Sequence, residues 1–160
     1  MCSYCGCQSI SLVGRFMAEH EQLVNLTGDL HRAQESGDAP TVEVALTGIL
    51  AVLHPHAGAE EAGLFAVLRR NPDFTDHVDG LCAEHTALDT LAGRVRAGEH
   101  DLIHEFITML RHHMDKEDNG LFPAAAIELD GPAWDEAVSL TPAGPGTHNH
   151  AHGDGAAHSH

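Results

Sequence analysis

Aromatic residues are scarce in this chain, at 4% of 160 residues. Strands favour aromatic and β-branched side chains, so a core built from Leu, Val, Ala and Ile favours helices over a β-sandwich. Basic residues are also few, 8 against 24 acidic ones, giving a formal net charge of -16. Such a charge repels phosphate backbones and argues against nucleic-acid binding. No stretch reads as long and apolar enough to span a bilayer, so no membrane role is expected. Residues 1–7 lack a basic region followed by an apolar run, the pattern of a secretory signal, and a cytoplasmic address follows as an expectation. The four Cys are then expected as reduced thiols or metal ligands rather than structural disulfides.

Histidine is abundant by contrast, with 15 residues. Four segments show helical periodicity. They run from about Ser9 to Ser36, Thr41 to Arg70, Thr75 to Ala97, and His100 to Asn119. Gly37-Asp38-Ala39-Pro40, Asn71-Pro72-Asp73 and Gly98 separate them. Pro55 should free the Ala51 carbonyl and kink the second segment. A weaker segment spans about Trp134 to Leu140. Short connections make neighbouring helices antiparallel. The expected fold is all-α, an up-down-up-down four-helix bundle with a short fifth helix and a flexible tail. Its divisions are a Cys-rich arm at 1–8, the bundle at 9–123, a helical extension at 124–142, and a His/Gly-rich tail at 143–160.

Each apolar stripe is interrupted by polar residues. His20 lies between Phe16 and Leu23, and His85 between Leu81 and Leu88. His56 and Glu60 lie between Val52 and Leu64, and His113 and Glu117 between Leu110 and Leu121. An unpartnered buried carboxylate is costly, so two Glu and four His on inward faces need a common explanation. A metal centre supplies it. Counting from the segment ends at about 1.5 Å per residue brings all six to within roughly one to two turns of one another.

The chain also repeats itself. Ala18-Glu19-His20 matches Ala83-Glu84-His85, and the run from His56 to Phe65 matches that from His113 to Phe122. Residues four apart share a helix face, so one ion can use both. The natural grouping is His20, His56 and Glu60 on one ion, and His85, His113 and Glu117 on the other. Each set is of the two-His-one-carboxylate kind, with positions open for a small ligand. Both Glu could bridge the ions.

This H…HxxxE…H…HxxxE pattern resembles the hemerythrin-like (HHE cation-binding) family over residues 9–123. The resemblance implies that His20, His56, Glu60, His85, His113 and Glu117 hold two iron ions with an oxo or hydroxo bridge, which meet O2, peroxide or nitric oxide. The oxygen-carrying members have a further His where this chain has Asp89. Their last carboxylate is an Asp five residues after its His. Here Glu117 stands at four and Asp118 at five, which makes Asp118 an alternate ligand candidate, as are Asp89 and Glu61. Fewer His ligands imply more open irons, and so peroxide chemistry of a catalase-like or peroxidase-like kind. No separate general base is identified. Reversible O2 or nitric oxide binding, sensing of redox state or iron, and metal storage or trafficking are the other readings.

The remaining features carry bland readings beside sharp ones. Glu19, Glu84 and Glu61 read equally as acceptors for ligating His or as a solvated face. His54, His77, His104 and His112 read as marginal or surface residues. Phe16, Phe65, Phe106 and Phe122 read as core packing, and Cys82 as a small packed hydrophobe. Cys2, Cys5 and Cys7 could bind zinc, act in redox chemistry, or form a frayed arm. The tail, with His148, His150, His152, His158 and His160, could handle metal such as zinc or be only a polar terminus.

Overall fold

The computed structural model describes residues 7–144, with side chains from residue 11 onward. The Cys arm and the His-rich tail therefore lie outside the described side chains. The described residues are almost wholly helical, and no strand occurs among them.

Helix α1 spans Cys7–Ser36 and α2 Ala39–Ala62. Gly37, at φ +69°, ends the first helix in a left-handed conformation that favours glycine. The Asp38 side chain accepts from the Thr41 backbone N–H at 3.1 Å and starts the second. Helix α2 continues through Pro55 and instead stops at Gly63, so the expected single segment to Arg70 is divided. A short α3, Leu64–Leu68, follows. The reason lies far along the chain. A Cβ on Gly63 would sit 2.7 Å from the Ala137 carbonyl oxygen and 3.2 Å from Thr141 Cβ. Only a residue without a side chain lets the C-terminal helix pack that closely.

Helix α4 spans Pro72–Arg96, with Asn71 accepting from the Asp73 N–H at 3.0 Å. Gly98, at φ +112°, turns the chain after it. The fourth segment is less regular than its periodicity suggests. A 3-10 turn at His100–Leu102 leads into α5, Ile103–Lys116. A π turn at Glu117–Leu121 then leads into α6, Phe122–Glu128. Single π turns within helices are rare and occur often at functional sites. The final helix, α7, spans Gly131–Leu140 and starts on Asp130, which accepts from the Ala133 N–H at 2.9 Å.

Contrary to expectation, the second helical segment contains a stretch of membrane-spanning length. The helical run Ala39–Leu68 is long and apolar enough to cross a membrane by length and composition. It passes that test because it is a core element. Val42, Leu46, Ile49 and Leu53 are buried on it, and so are His56 and Glu60.

The core has two apolar zones. One gathers Leu23, Leu46, Ile49, Leu88, Phe106 and Leu110. The other gathers Phe16, Phe65, Leu81, Leu121, Phe122 and Trp134. Along α1 the zones are represented by Phe16 and Leu23, and along α4 by Leu81 and Leu88. His20 and His85 fall between those pairs, so a polar layer separates the zones.

Candidate metal centre

Five stretches of chain feed that layer. Helix α1 supplies His20, α2 supplies His56 and Glu60, α4 supplies His85, α5 supplies His113, and the π turn supplies Glu117. The side chains of Glu60 and Glu117 are fully buried, and His85 is the most exposed of the six at 7%. Ligand atoms of His20, His56, Glu60 and Glu117 lie within 4.8 Å of one another, and so do those of Glu60, His85 and His113. The structure thus brings together all six residues singled out in the sequence.

The grouping by halves of the chain is modified. Glu60 Oε1 is 3.1 Å from His56 Nε2 in its own half and 3.3 Å from His85 Nε2 in the other. Glu117 Oε1 is 3.1 Å from His113 Nε2 and 3.3 Å from His20 Nε2. Each carboxylate therefore stands between two imidazoles of different halves.

The imidazoles are oriented from behind. His20 Nδ1 lies 2.7 Å from Asp118, His56 Nδ1 2.8 Å from Glu19, His113 Nδ1 2.8 Å from Glu84, and His85 Nδ1 3.2 Å from Glu61. An Nδ1–H that donates to a carboxylate leaves the Nε2 lone pair facing inward. Those inward nitrogens meet in pairs, His20 with His56 at 3.0 Å and His85 with His113 at 3.1 Å. Two lone pairs at such a distance repel. The carboxylates present the same problem, because no hydrogen bond among the described residues reaches any oxygen of Glu60 or Glu117. Fully buried, unpaired carboxylate oxygens carry a penalty of about 1–3 kcal/mol or more each. Cations between the nitrogens and oxygens would satisfy both sets at once, and the donor set of imidazole and carboxylate suits iron, manganese or zinc.

Without a cation, protons take up the strain. Burial by itself would lower the His56 pKa, but Glu60, Glu19 and Glu117 outweigh it and raise it to about 10. His113 is raised in the same way, against burial, by Glu117, Glu60 and Glu84. Burial and the neighbouring Glu60 charge push the Glu117 carboxyl up. Burial also acts to raise Glu60, yet the facing His56 charge holds it well below the usual carboxylate range. The two carboxyls are thus pushed in opposite directions.

Apolar rings close the layer on one side. Phe122 stacks on His20 with centroids 5.9 Å apart, and Phe65 on His85 at 6.0 Å. Phe16 meets His56 edge-on at 5.4 Å. These three phenylalanines are packing residues as expected, but their neighbours are the imidazoles.

Several residues left open by the sequence now have definite surroundings. Asp118, weighed as an alternate ligand, faces the outer nitrogen of His20. Asp89 is exposed and pairs with His54 at 2.5 Å, away from the six. Glu19, Glu61 and Glu84 are acceptors for ring nitrogens rather than a purely solvated face. His54, His77, His104 and His112 are exposed. Cys82 is half-buried, and Arg69 donates to its sulfur at 3.3 Å. Burial and the nearby Glu61 push its thiol up to about 11.

A family model for the hemerythrin HHE cation binding domain matches residues 11–125. No curated protein and no solved structure matches the chain.

Proposed function

Because the chain belongs to the hemerythrin HHE cation-binding family, we propose that its six inward side chains hold two iron ions that handle O2-derived ligands, with peroxide decomposition as the leading activity. The observation that carries this reading is the pairing of inward Nε2 atoms at 3.0 and 3.1 Å around carboxylates with no hydrogen-bond partner among the described residues. Iron in such a centre would supply electron exchange with O2, peroxide or nitric oxide.

The protein's own part follows from its residues. Asp118, Glu19, Glu61 and Glu84 fix the tautomer of the four imidazoles and raise their basicity toward a cation. Glu60 and Glu117, each beside two imidazoles, would help to hold the ions and balance their charge. Phe16, Phe65 and Phe122 keep water from one side of the layer. The bundle that carries them is read as up-down-up-down, with α1, α2, α4 and α5 as its long members.

Elemental analysis of freshly purified protein, alongside its visible spectrum, tests the centre. Two irons per chain and an oxo-bridge charge-transfer band are expected. The activity is tested by peroxide consumption against free iron at equal concentration. A rate no faster than that of free iron would remove the enzyme reading. One observation then favours reversible O2 or nitric oxide binding instead. The four carboxylates behind the imidazoles are all engaged on ring nitrogens, which leaves none of them free as a proton donor. Recovery of the same reduced spectrum after repeated oxygenation would mark that second reading.

A further inference from the structure

Two cavities open beside the centre, at positions related by the internal repeat. One, of about 240 Å³, includes Ala57, Gly58, Glu61 and His85 in its wall. The other, of about 360 Å³, includes Met114, Asp115, Asp118 and His20 at the corresponding places. The second is larger, yet its way inward is closed. Met114 fills the place of Ala57 and is 4% exposed, and His20 shows only 3% of its side chain. Asp118 covers the outer nitrogen of His20 at 2.7 Å and is 27% exposed. On the first side His85 shows 7%, its partner Glu61 stands back at 3.2 Å, and Glu61 is 45% exposed. At the places of Met114 and Asp115 the wall there has an alanine and a glycine, and a Cβ on Gly58 would meet no described residue within 4 Å.

We propose that the cavity beside His85 is the entry route by which a small uncharged ligand reaches the dimetal centre, and that Gly58 keeps it open. The carboxylates of Glu61 and Asp89 in its wall disfavour an anion. The apolar Leu53 and Leu88 beside them suit a small neutral molecule. This inference rests on the centre holding two metal ions, as proposed above.

Nitric oxide serves as the probe. The iron-loaded full chain is reduced without air, and nitrosyl formation is followed by stopped-flow absorbance. Gly58→Leu and Gly58→Trp place side chains in open space and replace a glycine within a helix, so both favour folding. Association should slow in that order, about tenfold for the Trp variant, because entry then requires the side chain to move. Iron content and the final nitrosyl spectrum should match the parent. Asp115→Trp, at the repeat-equivalent place, should change the rate less than twofold. A Gly58→Trp rate equal to the parent's, or a larger slowing by Asp115→Trp, overturns the route. A parent protein with two irons but no nitrosyl spectrum also overturns it, while leaving the centre standing. Fewer than two metal ions in the parent defeats the centre itself, and the route with it.

Discussion

The two halves of the chain build the same device against each other, and they differ only behind it. Facing inward, His20 is matched by His85, His56 by His113, and Glu60 by Glu117. The supports match too. Glu19 and Glu84 each hold the paired His of their own half, while Glu61 and Asp118 each hold the lone His of the other half. One layer further out the match is only partial, kept by Phe65 and Phe122 on the lone imidazoles but lost elsewhere. Phe16 stands where the second half has Leu81, and Ala59 where it has Lys116. Groups that meet at the centre constrain one another. Those behind it answer only to their local packing.

The largest expected effect tests whether the inner match is functional. Glu60→Gln and Glu117→Gln each remove a charge that lies between two imidazoles. Iron content should fall from two per chain to one or none, by elemental analysis after dialysis. In the metal-free protein Glu117→Gln should raise the melting temperature, because burial and Glu60 already oppose its charge. Opposite signs with and without metal are the signature of a site built for cations. Equal iron content in either variant and in the parent would break the equivalence of the halves.

A second prediction concerns protons. At neutral pH the metal-free centre keeps the His56 proton, since its pKa is raised to about 10, and His113 and Glu117 are raised as well. Cations bind the deprotonated groups, so loading must expel protons. Below those pKa values the apparent affinity should climb about tenfold per pH unit for each proton displaced. The same His56 shift sets a sign for the empty protein. A raised pKa adds stability that is full below the unfolded value of 6.5 and is lost as pH rises through about 10. Addition of ferrous ion in weak buffer with an indicator dye would report the release. A silent indicator would contradict the protonated centre.

The six inward residues were legible because a polar residue interrupting an apolar stripe at helical spacing is conspicuous, and here the pattern occurs twice. Their supports were not settled by the same reading. An acid next to a His in sequence lies about 100° around the helix from it, and nothing local says which ring it will reach. The repeat held the missing signal: an acid precedes each lone His, and an acid follows each paired Glu. The end of α2 was not legible at all. Gly63 ends that helix where Ala137 of α7 and Thr141 just beyond it approach too closely for a side chain, a contact invisible to local periodicity. The π turn at Glu117–Leu121 is hidden similarly, since one extra residue in a turn leaves the spacing of Leu110, Leu121 and Phe122 plausible for a plain helix.

The supports give a third, smaller effect. Glu19→Gln and Glu84→Gln should weaken metal affinity by roughly 10–100-fold, the usual range for a residue that orients a ligating His. The loss should be larger at Glu84. That carboxylate also binds Lys116, and its removal takes from that ammonium, close to His113, the carboxylate it is paired with. Glu19 is held by Arg15 at a longer 3.5 Å. Chelator competition on the two variants measures the difference, and a larger loss at Glu19 would reverse the assignment.

The smallest effect concerns the outer mismatch itself. Phe16→Leu gives the first half the residue of the second. Phe16 is fully buried, stacks on Phe122 at 6.0 Å and meets the edge of His56. Truncating a buried Phe to Ala costs about 3–5 kcal/mol, so the partial loss to Leu should cost about 1–2 kcal/mol. The reverse change, Leu81→Phe, adds volume to a fully packed zone and should cost about 1–3 kcal/mol through strain. Denaturant unfolding of the metal-free proteins measures both. Iron content should stay at two in each, because neither side chain offers a ligand atom. If Phe16→Leu empties the centre, the ring does more than pack: it sets the tilt of His56, and the halves then differ in how they aim their imidazoles.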